Sequence, residues 1–333
     1  MNEKMKQKLE QLRSDYTGIA GKPFNYFYCP ILFRDENVPL CQAHIVNKAF
    51  AGSSRAWTVQ RMDVDNFYGT YFEADFEMLQ YGKNREIGEI FMDKKLHKKF
   101  RPKILVDEKQ VDFFVPQGKI PEQFTAVEVE KDGRTITVGL KMAKDTVLSL
   151  AEGKWQIDIS KDLRVASLVS IIKAAYLTLF EILGYSYTFS AGGQFVGHQI
   201  LGKFFLANHG QMKSVVQESA FSFFREFASM VRPLLSSGFD FQGSITDKMF
   251  LVCWSSSGFA WAIIVFIRTG LLLHAVMLPV SDRADMVPTY FDFLRSQNES
   301  ISVTLCSYEQ GQRHWDMKKP SRLTWPKTGV LYP

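Results

Sequence analysis

Tyr28-Cys29-Pro30-Ile31-Leu32, then Leu40-Cys41-Gln42-Ala43-His44-Ile45-Val46-Asn47, then Met62-Asp63-Val64-Asp65-Asn66-Phe67-Tyr68-Gly69, are the segments whose reading decides the fold. Cys29-Pro30 ends an aromatic run, and the acidic turn Asp35-Glu36-Asn37 separates it from Leu40. Residues 40–47 read as part of a β-hairpin with His44 at its end. Asp65-Asn66, ahead of Phe67-Tyr68-Gly69, reads as a helix start, because Asp and Asn side chains accept hydrogen bonds from the free N–H groups of a first turn. Glu73 and Asp75 follow on that helix. Nothing else in the chain points to chemistry as specifically. Histidine is the side chain whose ordinary pKa suits it to activate water near neutral pH.

In this order and spacing, residues 24–80 resemble the HNH endonucleases, a ββα-metal or treble-clef family. There a Cys-x-x-Cys knuckle opens the hairpin and a His-Ile-x-Pro or His-Ile-x-Asn segment closes it. A second knuckle then leads into the helix. Cys29-Pro30-Ile31-Leu32 is similar to the first knuckle with its second cysteine replaced, and Ala43–Asn47 to the catalytic strand. Met62–Gly69 is similar to the second knuckle and helix start with both cysteines gone. A structural zinc needs four ligands. The resemblance therefore implies no structural zinc, and either a module that has exchanged zinc for packing or a decayed copy.

The resemblance also implies roles. His44 is the general base and Asn66 orients its ring or loop. Glu73, with Asp75 in reserve, takes the place of the motif's last histidine. Glu73, Asp75 and His44 form the metal-holding set for Mg²⁺ or Mn²⁺, since carboxylates suit hard cations. Some family members carry a metal ligand just before the base, where this chain has Ala43. Each residue alone also has an ordinary structural reading: a core or surface histidine, a helix cap, carboxylates that complement a helix dipole or face solvent.

Composition sets the bounds. A chain of 333 residues has length for two domains and sizeable cores. Its 46% hydrophobic and 23% charged residues are those of a folded protein. The net charge of +5 fits a nucleic-acid partner without demanding one. Cysteines 29, 41, 253 and 306 form neither a disulfide framework nor a zinc spacing, which predicts a reducing, cytoplasmic setting. Met1–Arg13 is polar and lacks the apolar core of a signal peptide. Val165–Leu183, carrying Lys173 and Glu181, reads as a buried helix, and Phe259–Pro279, broken by Arg268-Thr269-Gly270, as a hairpin, so no membrane span is expected.

The expected organisation is α+β in two parts. Residues 1–100 hold a short charged helix or tail (3–14), the HNH-like module, and a basic strip at 92–103. In that strip Lys94, Lys95, Lys98, Lys99 and Arg101 are candidate phosphate contacts, set against a simple solvated face. Residues 101–333 form a larger domain, a candidate sensor or partner-binding region. Strands are expected at 104–106, 111–115, 124–130, 135–142 and 155–159, with Lys131-Asp132-Gly133-Arg134 as a hairpin turn. Ser160 and Asp162 start a helix that buries Leu168, Ile171, Ile172, Ala175, Leu179 and Ile182 and stops at Gly184. Helices follow from Gly192 through Phe205 and over Val215–Leu235. A β-meander (250–254, 260–267, 271–278), a helix at 285–296 and a final strand at 301–308 complete the chain. Gly192-Gly193 and Ser255-Ser256-Ser257-Gly258 read as a helix start and a turn, not as a phosphate cradle and a nucleophile elbow. Two function classes remain: a metal-dependent endonuclease acting on nucleic acid, DNA before RNA, resembling bacterial anti-phage defence effectors; and a non-enzymatic binding or scaffold subunit on a degenerate HNH fold.

Overall fold

The computed structural model describes residues 1–47, 56–73, 76, 103–106, 109–112, 123–129, 135–141, 154–158, 163–233, 249–269, 272–281, 286–295, 300–308, 315–317 and 321–325. The chain is α+β, and every strand pairing among the described residues is antiparallel. It divides into two compact units, Met1–Glu73 with Leu168–Tyr332, and Ala74–Ser167 with Pro333. The division expected near residue 100 is replaced by a discontinuous one. The N-terminal hairpin region belongs with the C-terminal half, to which its side chains are tied.

The larger unit begins with α1 (Glu3–Ala20). Asn2 caps it by accepting from the Met5 N–H at 2.9 Å, and Gly21, at φ 73°, ends it with its N–H on the Thr17 carbonyl. Met5, Leu9 and Leu12, spaced along one stripe, are buried. Lys8 pairs with Glu181 at 2.7 Å, and Asp15 accepts the Tyr185 N–H at 2.7 Å. These contacts make α1 an integral helix and not a tail.

Strands β1 (Leu40–His44) and β2 (Trp57–Arg61) form the two-stranded hairpin, with Cys41 opposite Gln60 and His44 opposite Trp57. Helix α2 (Met62–Tyr68) starts directly after Arg61 and runs into a π-turn, Gly69–Glu73. Among the strands of the smaller unit, β3 (Lys103–Val106), β4 (Lys109–Asp112), β5 (Gln123–Val129), β6 (Thr135–Lys141) and β7 (Lys154–Asp158) form a five-stranded sheet in the order β4-β3-β7-β6-β5. A register shift between Ala126 and Glu128 interrupts the β5–β6 ladder. The expected turn at 131–134 and the cap at Ser160 and Asp162 lie outside the described residues.

Helix α3 (Leu163–Leu183) ends at Gly184, φ 61°, as the sequence predicts. Leu168, Ile171, Ile172, Ala175, Leu179 and Ile182 are buried, and so are Lys173, Tyr176 and Phe180, so the helix is enclosed on nearly all sides. The one helix among the described residues long and apolar enough to cross a membrane is this one, and 89% of its apolar window is buried inside the structure. Short helical stretches then run from Tyr185 to Asn208 through a π segment, Phe195–Gly202.

Helix α4 (Lys213–Arg225) is shorter than the 215–235 expectation. Val231–Pro233 instead forms β8, which pairs with one described strand, and Pro, lacking an N–H, suits such an outer position. Strands β9 (Met249–Trp254), β10 (Ala260–Thr269) and β11 (Leu272–Pro279) make the expected meander. The Ser255-Ser256-Ser257-Gly258 segment is the β9–β10 turn, with Gly258 at φ 80°. Helix α5 (Met286–Arg295) precedes β12 (Ser300–Tyr308). That strand is not the last: β13 (Trp315–Met317) and β14 (Ser321–Thr324) both pair with it. The sheet order is β13-β12-β9-β10-β11-β8, with β14 beside β12.

Candidate functional site

The hairpin and α2 reproduce a strand–strand–helix order with His44 closing the first strand. Side chains alternate between the two faces of a strand. Cys41 and Ala43 therefore share one face with Thr58 and Gln60, and Gln42 and His44 share the other. Ala43, Thr58 and Gln60 are fully buried, while Gln42 is exposed and His44 half-buried. Cys41 reaches Asp65 of α2, its thiol donating to the carboxylate at 3.7 Å. The acidic cluster thus lies on the Cys41–Ala43 face, and His44 points away from it.

Helix α2 begins three residues earlier than the Asp65-Asn66 reading places it. Arg61 is its N-cap residue and makes no side-chain capping bond. Asp63 and Asp65 occupy the first turn, where carboxylates complement the helix dipole. Arg61, nearly buried, pairs with Asp63 at 2.8 Å and with Glu36, fastening the helix start to the acidic turn before β1. Asn66 stands inside the helix on its exposed side.

Glu73 is eight residues beyond Asp65. In an uninterrupted α-helix that spacing leaves the two about 80° apart around the axis. The wider turn over Gly69–Glu73 winds less per residue and closes that gap. Both carboxylates then meet one ammonium. Lys173 Nζ of α3 stands 2.6 Å from Glu73 Oε1 and 3.3 Å from Asp65 Oδ1. Its side chain is 1% exposed, and Nζ lies 5.9 Å from the centre of the Tyr68 ring. Burial on its own pushes this ammonium down. Glu73 and then Asp65 outweigh it and hold Lys173 above its ordinary value. Burial, with Asp65 beside it, pushes the Cys41 thiol up to about 12.

The loop from Cys29 to Arg34 is held by protein contacts, with the Cys29 N–H donating to the Arg34 carbonyl at 2.9 Å. Leu32 N–H donates to Cys29 Sγ at 3.4 Å, Cys29 Sγ donates to Gln60 Oε1 at 3.4 Å, and Phe33 N–H donates to the Cys29 carbonyl at 2.9 Å. Phe33 adopts φ 57°, a conformation that costs a non-glycine residue about 1 kcal/mol or more. Tyr176 of α3 donates to the Pro30 carbonyl at 2.5 Å, and Tyr185 to that of Tyr28. Burial pushes the Cys29 thiol up to about 11.

Of the sequence-predicted residues, the structure brings Glu73 onto the same ammonium as Asp65, while His44 ends β1 on the strand face opposite Cys41 and Asn66 is an exposed position of α2. Asp75, Lys94, Lys95, Lys98, Lys99 and Arg101 lie outside the described residues. Among the described residues no group of three or more His, Cys, Asp or Glu side chains is arranged to hold a metal ion. As arranged, Asp65 and Glu73 do not fit the divalent metal that the resemblance implies. A buried ammonium already bonds to both, and Ala43 offers a methyl on the face toward them. Sequence reasoning missed Lys173 as a site residue. Its signal was a lysine within a helix of buried apolar positions, which requires a buried counter-charge. That counter-charge comes from residues 100 and 108 positions away.

Compared with known protein families, characterised proteins and solved structures, the chain matches none.

Proposed function

We propose that this chain binds nucleic acid, DNA before RNA, through an HNH-like hairpin–helix module that does not cut it. One observation supports the absence of cutting above the others: Lys173 stands 2.6 Å from Glu73 and 3.3 Å from Asp65. Both carboxylates that a catalytic cation needs thus already share the protein's own ammonium, which occupies the place between them and offsets half of their charge. A divalent ion brought to the same oxygens meets an ammonium whose side chain is 1% exposed. The net charge of +5 and the run Lys94, Lys95, Lys98, Lys99 and Arg101 support nucleic acid as the partner, because phosphate contacts supply most non-specific affinity. A cytoplasmic setting belongs to the same proposal.

The test measures binding and cutting side by side. Wild type and His44→Ala are titrated against duplex DNA at several salt concentrations and assayed for plasmid nicking with Mg²⁺ and Mn²⁺. The expected outcome is salt-dependent binding by both and nicking by neither. Replacing Lys94, Lys95, Lys98 and Lys99 with Gln is expected to weaken binding and flatten its salt dependence. Failure to bind either DNA or RNA would sink the proposal.

A second reading, a metal-dependent endonuclease of the anti-phage defence type, is favoured by the strand–strand–helix order with His44 at the first strand's end. In it His44 takes a proton from the attacking water and Asn66 orients His44. Glu73, Asp75 and His44 would hold Mg²⁺ or Mn²⁺, and Lys173 must leave Glu73. Nicking by wild type that His44→Ala abolishes would establish this reading.

A further inference from the structure

We propose that Lys173 is a built-in replacement for a bound cation, and that removing its ammonium turns Asp65 and Glu73 into a divalent-cation site. The inference rests on the non-cutting reading above and adds what the module's acidic cluster still requires.

Four features carry it. The ammonium sits between two carboxylates from one helix, within hydrogen-bonding reach of both. It comes from a different element, α3, far away in sequence. The carboxylates therefore do not rely on a neighbouring base of their own helix, as surface ion pairs do. The π-turn at Gly69–Glu73 brings Glu73 round toward the side of the helix that carries Asp65. Two carboxylates converging on one point repel each other unless a cation stands between them. In this chain that cation is covalently attached. Cys41, donating to the second oxygen of Asp65, fixes the carboxylate's orientation independently of Lys173. Loss of the ammonium then leaves the Asp65 carboxylate still held by Cys41, with Glu73 beside it on the π-turn and room vacated between them, and carboxylate oxygens are the ligands that Mn²⁺ and Mg²⁺ prefer.

The experiment compares wild type, Lys173→Ala and Lys173→Ala with Glu73→Gln, all as the full chain. Thermal unfolding is followed with and without Mn²⁺, and Mn²⁺ binding is read by electron paramagnetic resonance. Wild type is expected to show no Mn²⁺-dependent change in Tm. Lys173→Ala is expected to unfold at lower temperature and to bind one Mn²⁺ per chain. Its Tm should rise on the order of 5 °C when Mn²⁺ is about 100 times its Kd. Adding Glu73→Gln is expected to remove that rise. Lys173→Ala that refolds only with Mn²⁺ present supports the proposal equally. Lys173→Ala that neither binds Mn²⁺ nor gains stability from it, or that fails to fold with or without Mn²⁺, overturns it. Wild type gaining as much Tm from Mn²⁺ as Lys173→Ala overturns it too. A control variant with Lys173→Met, Asp65→Asn and Glu73→Gln together is expected to fold without metal, because no charge then needs a partner. DNA nicking by wild type would end the non-cutting reading alone, while these Tm and binding results decide the cation replacement.

Discussion

Asn66 is where residue-scale reading and structure part most plainly. Its short polar side chain and its place before an aromatic run made it look like a helix start. The helix instead begins at Met62, and Asn66 is an exposed interior position. Asparagine is a weaker helix former than alanine by several tenths of a kcal/mol, because its side chain competes for backbone hydrogen bonds. Asn66→Ala is therefore expected to raise stability slightly, by about 0.5 kcal/mol, in urea unfolding. A loss of 1 kcal/mol or more would return the residue to a capping or positioning role. Phe33 is the residue-scale counterpart. Its φ of 57° is strained, and its ring packs against Tyr28, Phe189 and His198, contacts that hold it there.

Between elements, the buried Lys173 ammonium with its two carboxylates, tyrosine hydroxyls on the Pro30, Tyr28 and Leu201 carbonyls, and close backbone approaches bind the hairpin module to α3 and the helical stretch after it. Glu73→Gln leaves Lys173 with Asp65 alone. The expected cost is about 2 to 3 kcal/mol, below the value for losing a sole partner of a buried charge. The pH dependence has a definite sign. Lys173 is held above its ordinary value, so the folded chain keeps this proton at alkaline pH where the unfolded chain releases it. The stabilisation is complete below about pH 10.4 and is lost as pH rises past it through the folded value. Urea midpoints are expected to fall in that range for wild type, and less steeply for Lys173→Met. The close approaches involve Gly197 and Gly202 of the π segment. A Cβ at Gly197 would lie 2.2 Å from the Tyr176 hydroxyl and 2.9 Å from the Pro30 carbonyl, and one at Gly202 would lie 2.3 Å from the Ile31 carbonyl. Gly197→Ala is expected to cost at least about 2 kcal/mol through overpacking. The double change with Tyr176→Phe should cost less than the sum of the two, because the hydroxyl in the way is gone. Strict additivity would show that the crowding lies elsewhere.

For the whole molecule, the sheet of the larger unit carries its own acid sensitivity. His274 on β11 is buried, with its Nε2 at 3.1 Å from the Thr269 hydroxyl, and burial lowers its pKa to about 4. The unfolded chain takes up that proton near pH 6.5, well before the folded one does. The stability this group contributes is complete above about pH 6.5 and is lost as pH falls toward 4. His274→Gln is expected to flatten the decline in unfolding midpoint between pH 7 and 5. An unchanged slope would assign the acid response to other groups.

Local order is what the sequence by itself determined. The β-branched, Leu-rich runs broken by turn residues marked β9 to β11, the apolar period marked α3 down to its stop at Gly184, and the resemblance carried by Cys29, His44 and Asn66 implied a hairpin followed by a helix. These follow from backbone preferences and side-chain periods that act within a few residues. Tertiary structure decided the partners. Lys173 looked like a lone charge in a buried helix until α3 met α2, and Gln60 gave no sign that it would take the thiol proton of Cys29. The π-turn that carries Glu73 round toward Asp65 has no mark in Gly69–Glu73 that periodicity detects. Each depends on chain segments far apart in sequence, and buried charges and polar atoms are satisfied only when those segments close on each other.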